Sequence, residues 1–248
     1  MDYNTRNHFF ELAMKKILPL VLSVTVIPTL LLAGTAAYIG SQFKKKPLPE
    51  PGDEKNLVEE KWVELFDGKT LKGWEGNHKY FRVEKGAIVA GDLNNRIPNN
   101  EFLCTEKKYK DFELTLMAKL IGEGKNAGIQ FRSKRIPNHH EVIGYQCDMG
   151  QMKGHSIWGY LYDESRRKKF LVEADLKKTD AATKAGEWNE FRIRCEGNRI
   201  QIWVNGFRTV NYAEADETID RSGIIGLQIH SGPPAEAWYK DIKIKELH

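Results

Sequence analysis

The chain has 248 residues, 29% charged and 41% hydrophobic, enough apolar material for a packed core and too much for global disorder. Its net charge of +4 belongs to residues 1–46, where six Lys and Arg face two acids; residues 47–248 carry 32 of each sign. That balance excludes a domain-wide basic field for nucleic acid.

Residues 1–43 read as a leader and a hydrophobic segment. From Ile17 to Ile39 no side chain is charged, and the run is long enough to cross a hydrocarbon core as one helix. Lys15 and Lys16 precede it, and Lys44–Lys46 follow. The small residues Gly34-Thr35-Ala36-Ala37 suit signal cleavage, whereas the length of the run suits an uncleaved anchor. Either reading puts the downstream domain outside the cytoplasm, in the periplasm or cell envelope, with the membrane as a partner of this segment. Residues 44–61 form a basic, Pro-rich linker containing Pro47, Pro49 and Pro51.

From residue 62 to 248 the pattern changes to short runs with period-2 alternation. Strands are expected over 62–65, 80–84, 87–91, 101–105, 111–120, 127–133, 142–149, 156–162, 169–172, 188–196, 199–205, 207–212, 223–230 and 237–246. Turn signals separate them, with Asn205-Gly206 the strongest. No segment carries an apolar stripe of helical period. Many strands at short spacing predict an all-β sandwich of two antiparallel sheets. Cys104, Cys147 and Cys195 show no metal spacing and read as buried thiols, with one disulfide left open.

Successive side chains of a strand point to opposite faces. If Ile129 and Phe131 are inward, Gln130 and Arg132 face away; Gln146 and Asp148 then oppose Tyr145 and Cys147, and Gln228 and His230 oppose Leu227 and Ile229. Three strands thus offer polar side chains suited to sugar hydroxyls. The run 157–162 adds Trp158, Tyr160 and Tyr162, aromatic platforms for a pyranose face. An ordinary half-exposed sheet would also show polar alternation.

Several blocks resemble one family. Leu65-Phe66-Asp67-Gly68-Lys69-Thr70-Leu71-Lys72-Gly73-Trp74 is similar to the opening of the 3-keto-disaccharide hydrolase family. Gly128-Ile129-Gln130-Phe131-Arg132-Ser133, Gly144-Tyr145-Gln146-Cys147-Asp148 and the segment from Trp158 to Arg167 resemble its central blocks. Trp203-Val204-Asn205-Gly206, Gly226-Leu227-Gln228-Ile229-His230-Ser231-Gly232 and the closing segment from Lys240 to Leu247 resemble its later strands. The resemblance implies a concanavalin A-like jelly roll and hydrolysis, elimination or hydration of glycosides oxidised at C3.

Such chemistry needs a base for the C2 proton, an acid for the leaving oxygen and a donor for the enolate oxygen. Asp148 and His230 are the acid/base candidates, and Arg132 the enolate or hydroxyl clamp. Gln130, Gln146, Gln228, Trp158, Asp163, Glu164 and Arg166 are candidate substrate-binding residues. No cofactor is expected; a divalent metal on Asp148 and His230 remains open, without ligand spacing to support it. The partner expected is an oligosaccharide or glycoside. The competing reading is a non-catalytic carbohydrate-binding module on the envelope.

Overall fold

Period-2 alternation builds two antiparallel sheets. A computed structural model describes residues 61–124 and 126–248. The leader, apolar run and linker up to residue 60 lie outside the described residues. Among the described residues no helix is long and apolar enough to cross a membrane.

The first strands are β1 (Val63–Glu64), β2 (Trp74–Glu75), β3 (Phe81–Glu84), β4 (Ala87–Asp92), β5 (Glu101–Thr105) and β6 (Phe112–Gly122). Next come β7 (Asn126–Arg135), β8 (Val142–Met152), β9 (His155–Ser156), β10 (Leu161–Glu164), β11 (Phe170–Val172) and the helix α1 (Leu176–Ala182). The chain closes with β12 (Asn189–Glu196), β13 (Arg199–Val204), β14 (Phe207–Ala213), β15 (Ile224–Ile229) and β16 (Ala235–Glu246). One sheet runs β14-β13-β12-β6-β16-β4-β3, with β1 beside β16. The other runs β11-β10-β8-β7-β15-β5-β2, with β9 beside β8. The expected two-sheet sandwich is what the chain adopts.

The core lies between the sheets. Leu114, Leu116, Phe191, Ile193 and Tyr239 of the first meet Ile129, Phe131, Tyr145, Cys147, Leu227 and Ile229 of the second. Fully burying each such aliphatic or Phe side chain contributes about 1.5–3 kcal/mol. The three cysteines are free and buried. Asn205 and Gly206 turn the β13–β14 hairpin with φ of +49° and +79°, as a primed two-residue turn requires.

The outer faces differ. β13 alternates buried Ile200, Ile202 and Val204 with more open Arg199, Gln201 and Trp203. Residues 127–133, 144–150 and 224–229 are instead buried without a break. Their outward side chains include Gln, Asp and Ser, so this sheet buries polar groups that must find partners or pay for lacking them.

Two local features break the expected alternation. A bulge in β7 shifts the pairing with β8 between Phe131 and Lys134, with Arg132 at φ +46°. It turns Ser133 outward, against Gly144, where a Cβ would lie 2.2 Å from the Ser133 hydroxyl. The stretch 156–162 is not one strand. It turns at Trp158-Gly159 before β10 begins, and Gly159 packs so closely on Thr209 that no side chain fits. The seven residues of α1 are too few to display a helical stripe.

Candidate functional site

The site is built by register across five strands. On the outer face of the second sheet, Tyr162, Gln146, Gln130, Gly226 and Cys104 form one row from β10 to β5. The adjacent row holds Asp148, Gly128, Gln228 and Phe102. Asn126 lies one row further along β7, and its carbonyl accepts the His230 N–H at 3.3 Å. Glu164 follows Tyr162 by two residues on β10 and shares its face.

Gly128 makes the arrangement possible. A Cβ there would sit 2.6 Å from Cδ of Gln146, so only glycine lets that amide lie across β7. A hydrogen-bonded chain results. Ser133 Oγ donates to Gln130 Oε1 (2.8 Å), Gln130 Nε2 to Gln146 Oε1 (2.6 Å), and Gln146 Nε2 to Asp148 Oδ1. None of the four residues is more than 3% exposed.

Two carboxyl groups with raised values share this face. Burial pushes the Asp148 carboxyl up to about 8; the Gln146 amide opposes the shift and the Glu164 charge adds to it. Burial likewise raises Glu164 to about 7, with the Glu141 charge adding to the effect and the Ser165 N–H and the Lys168 charge opposing it. Glu141 is held by Asn100 Nδ2 at 3.0 Å. Tyr162 stands between these acids and Phe170, which it meets edge-on at 5.2 Å between ring centres. Near neutral pH the Asp148 carboxyl holds its proton while Glu164 is close to half ionised, the states a general acid and a general base need.

The other end of the face offers unsatisfied amide groups. Gln228 is fully buried, and neither its carboxamide oxygen nor its nitrogen has a hydrogen-bond partner. Asn126 Oδ1 is also buried and unpartnered. Such groups cost free energy unless a ligand supplies the missing bonds. His230 is half-buried, with Nδ1 2.7 Å from the Ser231 carbonyl, leaving Nε2 as its free ring nitrogen. β8 and β15 are two strand spacings apart, so Asp148 and His230 share a face at roughly 10 Å and do not touch.

The sequence model of the family described as 3-keto-alpha-glucoside-1,2-lyase-like domain matches residues 61–245. The chain belongs to this family. No curated protein matches it. A crystal structure of a provisionally named glycosyl hydrolase from Parabacteroides distasonis ATCC 8503 is similar at 19% identity and a TM-score of 0.55, over 75% of this chain and 94% of that one. A second from the same organism reaches 21% and 0.54, over 75% and 100%. The carbohydrate-binding module CBM66 from Bacillus subtilis reaches 13% and 0.51, over 70% and 96%. At these identities the likeness establishes a shared sandwich.

Four of the expected site residues of this family member lie elsewhere. The bulge takes Arg132 off the face. Its guanidinium is buried and bonds the Lys110 carbonyl, the Gly197 carbonyl and Asp111 Oδ1, each at 2.8 Å. Trp158 turns into the core and stacks on Phe191, ring centres 5.7 Å apart. Asp163 pairs with Tyr145, an inward-facing residue, and so points away from Glu164. It binds Arg166 and Arg167, and Arg166 also lies over the Tyr145 ring at 4.6 Å. Gln130, Gln146, Asp148, Gln228 and His230 are on the face as expected, and Glu164 joins them from β10. Among the described residues no three His, Cys, Asp or Glu side chains converge to hold a metal ion.

Of the aromatic platforms expected over 157–162, Tyr162 lies on this face beside Gln146. Sequence reasoning missed Glu141 and Ser133 as members of the site, because they depend on a loop and a bulge.

The ion network behind the sheet is testable. Arg167 Nη2 lies 2.6 Å from Glu214 Oε2, and the Tyr145 hydroxyl donates to that oxygen at 2.7 Å. Burial alone would raise the Glu214 carboxyl, but these donors bring it from 4.5 to about 2. A depressed carboxylate adds stability above its unfolded value and loses it as pH falls through the folded one. Glu214→Gln should therefore lower the melting temperature at neutral pH. It should also flatten the loss of stability between about pH 4.5 and pH 2, read by thermal melts across that range. Parallel pH profiles for parent and variant would refute the role.

Proposed function

We propose that the chain is a carbohydrate-active enzyme that cleaves 3-keto-glycosides by proton transfer beside the C3 ketone. The observation that carries this reading is the pair Asp148 and Glu164: two carboxyls on adjacent strands of one sheet face, both raised toward neutrality by burial. A ketone at C3 acidifies the C2 hydrogen. Glu164, the lower of the two, takes that proton as a carboxylate. The C2–H electron pair becomes the C1–C2 double bond while the C1–O bond breaks. Asp148, protonated at neutral pH, gives its proton to the departing oxygen. Water added across the double bond by the reverse transfers completes net hydrolysis. Gln228 and His230 Nε2 would hold ring hydroxyls or the ketone oxygen, and Tyr162 would pack on the sugar. The uncharged run from Ile17 to Ile39 supports an extracytoplasmic place, anchored to or exported through a membrane.

The test is turnover by the full chain of a 3-keto-glucoside, followed by release of the aglycone. Glu164→Gln should lower kcat by about 10²–10⁴-fold. The second reading, a binding module, is favoured by the unpartnered Gln228 amide and by likeness to CBM66. Saturable binding of the unoxidised sugar with no release from the oxidised one would establish it instead.

A further inference from the structure

The chain Ser133–Gln130–Gln146–Asp148 has a property that a simple buried network lacks. Its last hydroxyl has two acceptors within reach: Gln130 Oε1 at 2.8 Å and the Phe131 carbonyl at 3.0 Å. Each intermediate member is a carboxamide, with a donor at one terminus and an acceptor at the other. The order seen has every donor directed toward Asp148, which suits a carboxylate. Turning both amides over gives a second complete order. Protonated Asp148 would then donate to Gln146 Oε1, Gln146 Nε2 to Gln130 Oε1, and Gln130 Nε2 to Ser133 Oγ. Ser133 would donate to the Phe131 carbonyl.

We propose that this chain is a proton-coupled relay of hydrogen-bond direction, in which Ser133, Gln130 and Gln146 are positioning residues that keep Asp148 hydrogen-bonded in both of its protonation states. One proton is gained or lost, at Asp148. All others stay on their own atoms while the two amides rotate and the Ser133 hydroxyl swings. A buried carboxyl that had a partner in only one state would resist cycling, because the other state would carry an unpaired polar group. The packing serves the same end. The β7 bulge turns Ser133 outward, Gly144 leaves room for its hydroxyl, and Gly128 leaves room for the Gln146 amide. The titratable groups facing Asp148 are Glu164 and Tyr162 of β10, with Glu141 beyond Glu164. Cys147 of its own strand points into the core, and the adjacent stretch of β7 contributes only Gly128 and Gln130.

The catalytic use of the relay rests on the proposed function, but its existence can be read without turnover. The measurement is the titration of the Asp148 side-chain carboxyl by ¹³C NMR of the full chain, assigned against Asp148→Asn. Ser133→Ala and Gln130→Met each leave an unpaired N–H in the reversed order and only an under-used carbonyl in the other. They should therefore move the midpoint down by roughly half a pH unit to one unit. Gln146→Met removes the partner of both states, leaves a bare buried carboxylate, and should move the midpoint up. Ser133→Thr keeps the hydroxyl and should restore the parent value. This opposite response of successive members is what a merely structural role would not produce. An unchanged or raised midpoint in either Ser133→Ala or Gln130→Met overturns the relay. Absence of turnover with the expected shifts would count against the enzyme reading alone.

Discussion

Asp148→Asn is expected to leave the sandwich folded and to lower turnover of a 3-keto-glucoside by about 10²–10⁴-fold, the usual loss for an acid/base group. Asn keeps the shape and can still pair with Gln146, so its defect should lie in kcat more than in KM. The same substitution should alter stability in a direction set by linkage. The Asp148 carboxyl titrates at about 8 when folded, against an ordinary 3.8. A raised carboxyl holds its proton more tightly in the folded state. Stability is then greatest below the unfolded value and declines as pH rises from about 4 to about 8. Asn carries no such penalty. The variant should lose activity and, above about pH 8, melt at a higher temperature than the parent, a trade expected where a site holds a costly charge. Measured kcat within twofold of the parent in a folded variant would remove Asp148 from the chemistry.

Much of this site could be read from one rule, that neighbouring strand residues face opposite ways. The rule places Gln130, Gln146, Asp148 and Gln228 on one face, and register then brings them together across β8, β7 and β15. It fails where the backbone departs from a plain strand. A single extra residue in β7 exchanges the roles of Arg132 and Ser133, and nothing in Phe131-Arg132-Ser133 marks the bulge. The Gly159 turn removes Trp158 from the set, although a glycine amid aromatics was a visible warning. Asp163 and Glu164 could not both have faced the site, being consecutive on β10; parity assigns Tyr162 and Glu164 to one face and Asp163 to the other. The raised titration of Asp148 and Glu164 comes from burial of an outward face, which alternation alone does not reveal, because the same pattern on β13 leaves Arg199 exposed. The order of the family blocks carried the fold further than any single motif.

Arg132→Met should cost stability rather than chemistry. The guanidinium is 4% exposed as a residue and spends its donors on three fixed oxygens: two carbonyls and Asp111. Asp111 in turn accepts the Gly197 N–H at 2.8 Å. Lys110 and Asp111 lead into β6, and Gly197 sits in the β12–β13 turn, so one side chain of the second sheet is tied to two segments of the first. Met keeps most of the length but leaves two carbonyls and a carboxylate without their shared donor. Breaking a buried ion pair in this way costs about 3–5 kcal/mol, which for a domain of this size lowers the melting temperature on the order of 10 °C. Arg132→Lys should recover little, because one ammonium cannot span three acceptors held in a fork. Turnover per folded molecule should fall far less than in Asp148→Asn, since the Arg132 guanidinium is buried away from the face that carries Asp148. A variant that melts with the parent but loses 10²-fold or more in kcat would return Arg132 to the active site and show that the bulge opens when substrate binds.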